Sequence, residues 1–121
     1  DEASLAGDNA IVLVNKNELK RINLHPSELG LTVTANDSIK GGSPEENAEI
    51  LVRLLSGEKS AYRDIVLLNA GIGLYVGEKA ASFAEGVQLA AELIDSNEAL
   101  QKYEALRQEE VGMGESKCQI I

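Results

Sequence analysis

The sequence contains few aromatic residues: it has no tryptophan, one phenylalanine and three tyrosines. Hydrophobic residues still make up 44% of the 121 positions, so the chain can form one domain with a modest core. Because large rings are scarce, we expect that core to consist of aliphatic side chains and alanine. Small residues should then allow close contacts between helices.

Basic residues are also in short supply, since 11 Lys and Arg stand against 20 Asp and Glu, which gives a net charge of −9. A nucleic-acid groove needs a basic stripe, and anionic membranes attract basic segments, so we expect neither partner. The apolar runs are too short for a membrane span, and we expect no signal peptide. A single cysteine, Cys118, cannot form an internal disulfide or a metal cluster, which favours a cytoplasmic location.

The order of apolar patterns along the chain predicts an α+β unit. Two apolar runs, residues 10–14 and 19–24, flank Asn15-Lys16-Asn17 and predict an N-terminal β-hairpin. Residues 25–42 predict a loop. Four packed helices should follow, at about residues 44–56, 61–76, 83–96 and 98–108.

Two of the predicted helices begin with the same signal. Ser43 with Glu46, and Ser82 with Glu85, have the spacing of a capping box, in which side chain and backbone satisfy each other at the helix start. The second helix is apolar nearly all round, so we expect it to be the most buried element. Its Gly71 and Gly73 would each cost up to about 1 kcal/mol relative to alanine, unless another backbone packs closely there.

Few residues suggest chemistry. His25, the single histidine, has no orienting partner nearby and is interpreted as a loop residue. Asn69 lies in the apolar helix, where its amide must find partners, and we interpret it as a structural residue that holds a neighbouring loop. The last four residues, beginning at Cys118, have the outline of a prenylation box without a polybasic segment upstream. Asp1-Glu2 could bind Mg²⁺, which takes one or two carboxylates and keeps its waters.

The stretch from Gly41 to Leu100 carries a combination of motifs that resembles one enzyme family. A Gly-Gly pair precedes an acidic helix start with Asn-Ala, then a leucine-rich helix that ends in Gly, then Arg-Asp and Leu-Asn-Ala, and finally a Glu-Gly helix that closes in Ile-Asp-Ser. Upstream, HPSELGL and the initial Asp-Glu also match. Over about residues 1–107 the sequence resembles the C-terminal third of the anthranilate phosphoribosyltransferase family.

The resemblance implies a function for a larger, intact enzyme. That family transfers the phosphoribosyl group of phosphoribosyl pyrophosphate to anthranilate, in tryptophan biosynthesis, with Mg²⁺ as cofactor. The metal would be held by Asp1 and Glu2; no catalytic residue is predicted, and the substrate-binding residues stay unknown. The intact enzyme is expected to be a homodimer. In this interpretation residues 1–108 form the C-terminal portion of an α/β parent domain, and residues 109–121 form a frayed tail.

Two motifs of that family do not occur in the sequence. These are the Gly-Thr-Gly-Gly-Asp loop, which binds the sugar phosphates, and a Lys-His-Gly-Asn segment. The chain, which opens on Asp1 as though cut from a longer polypeptide, is therefore expected to be inactive alone. Two alternatives stay open: a nucleoside phosphorylase-like or catalytically divergent homologue, and a non-enzymatic interaction module.

Overall fold

The structure is a computed structural model that describes the backbone of residues 1–115 and the side chains of residues 1–109. It has an antiparallel hairpin of β1 (Asn9–Asn15) and β2 (Glu18–Leu24), followed by four helices: α1 (Pro44–Leu55), α2 (Ala61–Val76), α3 (Phe83–Asp95) and α4 (Glu98–Glu115). The predicted fold class, a hairpin followed by four helices, is thus confirmed. The predicted loop between β2 and α1 contains two short 3-10 helices, Pro26–Leu29 and Asn36–Ile39.

The last helix differs from its prediction. It continues to Glu115, past the predicted end at Gln108. The proposed division into residues 1–108 and a tail stays a prediction, and the motif at Cys118 lies outside the described residues. None of the helices in the described part of the chain is both long and apolar enough to cross a membrane.

The helix starts follow the predicted chemistry with one exception. At α1 the capping box is complete, because the Glu46 N–H donates to Ser43 Oγ (3.2 Å) and the Ser43 N–H donates to Glu46 Oε2 (2.8 Å). At α3 the Glu85 N–H donates to Ser82 Oγ, but the Glu85 carboxylate accepts from the N–H of Ala81 instead of Ser82. In the second capping box the glutamate side chain therefore accepts from the residue before the N-cap instead of from the N-cap itself.

The core is aliphatic, as expected, and α2 and α3 contribute half of its ten buried hydrophobic residues in the described part of the chain. Its buried hydrophobic residues are Leu5, Leu24, Leu31, Leu54, Leu55, Leu67, Leu68, Val87, Ala90 and Ile94. Both α2 and α3 contain four buried residues, but only three of the 16 residues of α2 are exposed, against five of the 13 in α3. The expectation that α2 is the most buried element therefore agrees with the structure.

A glycine pair brings α2 and α3 into direct backbone contact. A Cβ added at Gly71 would lie 2.6 Å from the Val87 nitrogen, and one added at Gly86 would collide with the Gly71 carbonyl oxygen. Gly73 differs, since a Cβ there would meet nothing within 4 Å. The close approach predicted for both helix glycines is therefore present at Gly71 and absent at Gly73.

A buried arginine joins the same two helices near their ends. Arg63, 5% exposed, donates from its two terminal nitrogens to Asp95 Oδ1 (2.8 Å) and Oδ2 (3.0 Å). Such two-bond pairs between a guanidinium and a carboxylate fix geometry as well as charge. The Arg63 hydrogen bonds, with its positive charge, hold the pKa of Asp95 below its usual range.

Candidate functional site

The first residues of the chain form one side of a cleft with β1 and α2. The cleft has a volume of about 460 Å³ and is lined by Asp1, Glu2, Ala3, Asp8, Asn9, Ala10, Ile11, Val12, Asn69 and Ile72. Asp1 and Glu2, the two predicted metal ligands, both line it. The structure thus places them together at a concave surface, which is where small ligands bind.

Asp8 is a third acidic residue on the cleft, and sequence analysis did not single it out. Asp1, Glu2 and Asp8 are all exposed at its surface. Among the described residues no group of three His, Cys, Asp or Glu side chains is close enough to hold a metal ion. A cue for Asp8 was present in the sequence, namely three acids within the first eight residues.

Asn69 joins α2 to the residue that follows the two carboxylates. The Ala3 N–H donates to Asn69 Oδ1 (2.9 Å), and Asn69 Nδ2 donates to the Ala3 carbonyl oxygen (3.0 Å). The same Nδ2 donates to the Ile65 carbonyl oxygen (3.1 Å) one helical turn earlier. The interpretation of Asn69 as a structural residue that holds a loop is therefore confirmed, and the loop is the one that carries Asp1 and Glu2.

Asn9, at the start of β1, holds the next residue in the same manner. The Ser4 N–H donates to Asn9 Oδ1 (2.8 Å), while Asn9 Nδ2 donates to the Ser4 carbonyl oxygen (3.0 Å). Leu5 follows with no exposed surface, and its carbonyl oxygen accepts the Thr34 N–H (3.0 Å). Consecutive residues after the acidic pair are therefore fixed by α2, by β1 and by the core.

The donor atoms at the cleft match the requirements of Mg²⁺. This ion binds proteins through one or two carboxylates and keeps several waters, and it prefers charged oxygen ligands. The amide oxygens of Asn9 and Asn69 are uncharged and each accepts a backbone N–H group. The charged oxygen ligands at the cleft are therefore those of the carboxylates. One of these, Asp1 Oδ1, also accepts the Glu2 N–H (3.0 Å). Asp1 and Glu2 therefore offer ligands of the type that Mg²⁺ prefers, and no third His, Cys, Asp or Glu among the described residues joins them in a metal-binding group.

Two other polar residues from the sequence analysis have structural contacts away from this cleft. His25 precedes the first 3-10 helix, where its Nδ1 lies 2.6 Å from Ser27 Oγ and accepts the Ser27 N–H. This agrees with its interpretation as a loop residue. Asn47 holds the glycine turn before α1, because its Oδ1 accepts the Gly42 N–H (2.8 Å) and its Nδ2 donates to the Gly42 carbonyl oxygen (3.3 Å).

Comparison with known proteins places this architecture in one family. Residues 1–100 match the model of the glycosyl transferase family, a/b domain. The anthranilate phosphoribosyltransferase of Exiguobacterium sibiricum is 51% identical over 107 residues, which cover 88% of this chain and 32% of that protein. The chain spans about a third of the length of the curated relatives it matches.

Solved structures agree with the sequence match. The crystal structure of anthranilate phosphoribosyltransferase from Thermus thermophilus is similar with a TM-score of 0.76 and 44% identity, covering 84% of this chain and 30% of that one. A variant of the Saccharomyces cerevisiae enzyme with Mg bound has a TM-score of 0.75 and 29% identity, over 86% of this chain and 31% of that one. The chain therefore belongs to the glycosyl transferase family that is defined by this a/b domain.

Proposed function

We propose that this chain forms part of an anthranilate phosphoribosyltransferase, which transfers the phosphoribosyl group of phosphoribosyl pyrophosphate to anthranilate in tryptophan biosynthesis. The observation that carries the proposal is the position of Asp1 and Glu2. Both residues line one cleft, in a chain that is 51% identical over 107 residues to an anthranilate phosphoribosyltransferase. The proposal that they hold Mg²⁺ is supported by the Mg bound to a variant of the Saccharomyces cerevisiae enzyme. The proposal includes a cytoplasmic location, supported by the single cysteine, and a homodimeric whole enzyme.

The contribution of the described residues to the reaction is electrostatic. Asp1 and Glu2 would hold Mg²⁺, which supplies positive charge to stabilise the pyrophosphate as it leaves. No third His, Cys, Asp or Glu among the described residues joins the pair in a metal-binding group, so the pair would hold the ion together with water and substrate oxygens. Asn69 and Asn9, which hold the backbone of Ala3 and Ser4, would limit the movement of the acidic pair that precedes these residues.

The remaining parts of the site would come from the other two thirds of the enzyme's length. Neither the Gly-Thr-Gly-Gly-Asp loop nor the Lys-His-Gly-Asn segment occurs in this sequence. Without the loop that binds the substrate phosphates, a metal ion held by Asp1 and Glu2 would lack the phosphate oxygens that complete its coordination. The chain alone is therefore expected to show no phosphoribosyl transfer, and its role is to complete a site that other residues begin.

A chimeric enzyme tests the proposal. The 107 residues of the Exiguobacterium sibiricum enzyme that match this chain are replaced by the corresponding residues of this chain, and formation of phosphoribosyl anthranilate is measured with Mg²⁺. We expect turnover by the chimera, with the parent enzyme as positive control and the 121-residue chain alone as negative control. A chimera that folds like its parent but forms no product would contradict the proposal, as would clear turnover by the purified chain alone.

A further inference from the structure

Asn69 supports the carboxylate pair through the backbone of the adjacent residue. We propose that Asn69 is a positioning residue that sets the metal affinity of Asp1 and Glu2, an inference that rests on the proposed function. It touches neither a carboxylate nor a substrate. Its side chain holds the peptide groups on both sides of Ala3, directly after the pair, and so limits where the two carboxylates can lie.

The geometry is specific for an amide side chain. Asn69 uses its oxygen to accept the Ala3 N–H and its nitrogen to donate to the Ala3 carbonyl oxygen, at 2.9 and 3.0 Å. An amide offers one acceptor and two donors on the same short arm, which a carboxylate or a hydroxyl does not. The second donor goes to Ile65 of the same helix, so the orientation of the amide is fixed as well.

Asn69 also lies in the part of α2 that packs closely against α3. Two positions later, Gly71 lies against the backbone of α3 at Gly86 and Val87, where no side-chain atom could be inserted. Leu68, next to Asn69, has no exposed surface. A polar residue in so apolar a helix costs free energy unless its hydrogen bonds are satisfied, and here all of its bonds serve the N-terminal segment or its own helix.

The chain contains a matched comparison for Asn69. Asn47 makes the same two contacts, accepting from the N–H of Gly42 and donating to its carbonyl oxygen, on the turn that precedes α1. Neither Asn47 nor Gly42 lines the cleft of Asp1 and Glu2. Loss of the Asn47 amide therefore removes an equivalent loop contact without disturbing the proposed metal ligands.

The test is a titration of the full chain with Mn²⁺ alone, a paramagnetic substitute for Mg²⁺, followed by NMR broadening of the Glu2, Ala3 and Ser4 amide signals. Asn69→Ala should raise the Mn²⁺ concentration for half-maximal broadening by about tenfold, the lower end of the range for residues that orient metal ligands. Asn47→Ala should leave that concentration unchanged. Hydrogen exchange at the Ala3 amide should become faster in Asn69→Ala only.

The outcomes separate this inference from the proposed function. If Asp1→Asn with Glu2→Gln abolishes the broadening but Asn69→Ala titrates like the parent chain, the positioning role is wrong and the metal site stands. If the double variant broadens like the parent, Asp1 and Glu2 are not the metal ligands and the positioning role falls with them. If the parent chain shows no localised broadening, the positioning inference is overturned, while turnover of the chimera still decides the proposed function. Should Asn69→Ala fail to fold by circular dichroism, Asn69→Gln, which keeps the amide on a longer arm, replaces it and must also weaken the Mn²⁺ response.

Discussion

The outer face of the hairpin and the contact between α2 and α3 are packed in opposite ways. On the hairpin, Val14 and Leu19 form a cross-strand pair and are 71% and 74% exposed. Between the helices, Leu68 is fully buried, and Gly71 and Gly86 touch through their backbones. Since hydrophobic stabilisation follows the apolar area removed from water, the helices should supply most of the folding free energy.

The proposed site lies between the hairpin and α2, next to the N-terminal residues. Its cleft takes Ile11 from the hairpin and Asn69 and Ile72 from α2, with the acidic pair at the edge. A metal site needs ligands that solvent and substrate can reach, held by secondary-structure elements that are rigid. The difference between the regions therefore indicates a division of roles, in which the helix pair fixes Asn69 and the hairpin forms the opposite wall of the cleft.

The largest expected effect comes from truncating a core leucine in α2. Leu67 is 6% exposed, so Leu67→Ala should lower the free energy of unfolding by about 2–5 kcal/mol, through lost burial and the cavity that remains. Leu19→Ala, the same substitution on the exposed hairpin face, should change it by less than about 0.5 kcal/mol. Urea unfolding measures both. Equal midpoints for the two variants would show that the comparison between the regions is wrong.

The next effect distinguishes two glycines inside helices, Gly86 of α3 and Gly73 of α2. Gly86→Ala would force the helices apart at the Gly71 carbonyl, and overpacking of this kind costs roughly 1–3 kcal/mol. Gly73→Ala adds a methyl group where nothing lies within 4 Å and should stabilise the helix by up to about 1 kcal/mol. Thermal unfolding of both variants checks the signs. Stabilisation by Gly86→Ala would rule out the backbone contact.

A smaller effect depends on pH. The Arg63 hydrogen bonds lower the pKa of Asp95 in the folded state. The ionised Asp95 carboxylate therefore stabilises the fold at any pH above the ordinary Asp pKa of about 3.9, and this stabilisation is lost as the pH falls through the lowered pKa of the folded state. Asp95→Asn should therefore lower the urea midpoint at pH 7, and the difference from the parent chain should shrink in strong acid. A difference that stays constant down to the lowest pH would contradict the account.

Asp64 provides a control of opposite sign. Burial raises the pKa of the Asp64 carboxyl in the folded state, against the opposing charge of Arg63, so ionising this group costs more free energy in the folded chain than in the unfolded chain. The folded state loses stability as the pH rises through the interval between the ordinary and the raised pKa. Asp64→Asn should accordingly raise the midpoint at pH 7, where Asp95→Asn lowers it. A decrease in both variants would show that packing, not ionisation, decides.

The sequence predicted the elements of this fold well because local signals specify them. The capping box at Ser43, for example, depends on residues within one helical turn. At α3 the prediction was close, but the Glu85 carboxylate could reach either Ser82 or Ala81, and only the backbone path decides between them. The end of α4 was missed because Glu109 and Glu110, directly after Gln108, are good helix formers that allow the helix to continue.

Long-range partners could not be predicted from the sequence. That Asn69 holds a loop followed from its polarity in an apolar helix, but its partner Ala3 is 66 residues away. The difference between Gly71 and Gly73 depends on which side of α2 faces α3, and the nearly uniform apolar pattern of that helix does not determine this. Asp1 and Glu2 were selected through a family resemblance, whereas Asp8 joins them at the cleft only in the folded chain.

The most direct measurement of the central claim is the Mg²⁺ dependence of turnover in the chimeric enzyme, with and without Asp1→Asn and Glu2→Gln. If the pair holds the metal that stabilises the leaving pyrophosphate, the double variant should fold normally and lose most of its turnover, with partial recovery at high Mg²⁺ and less change in the KM for anthranilate. Normal turnover of the double variant at every Mg²⁺ concentration would contradict the account and leave Asp1 and Glu2 as ordinary surface acids.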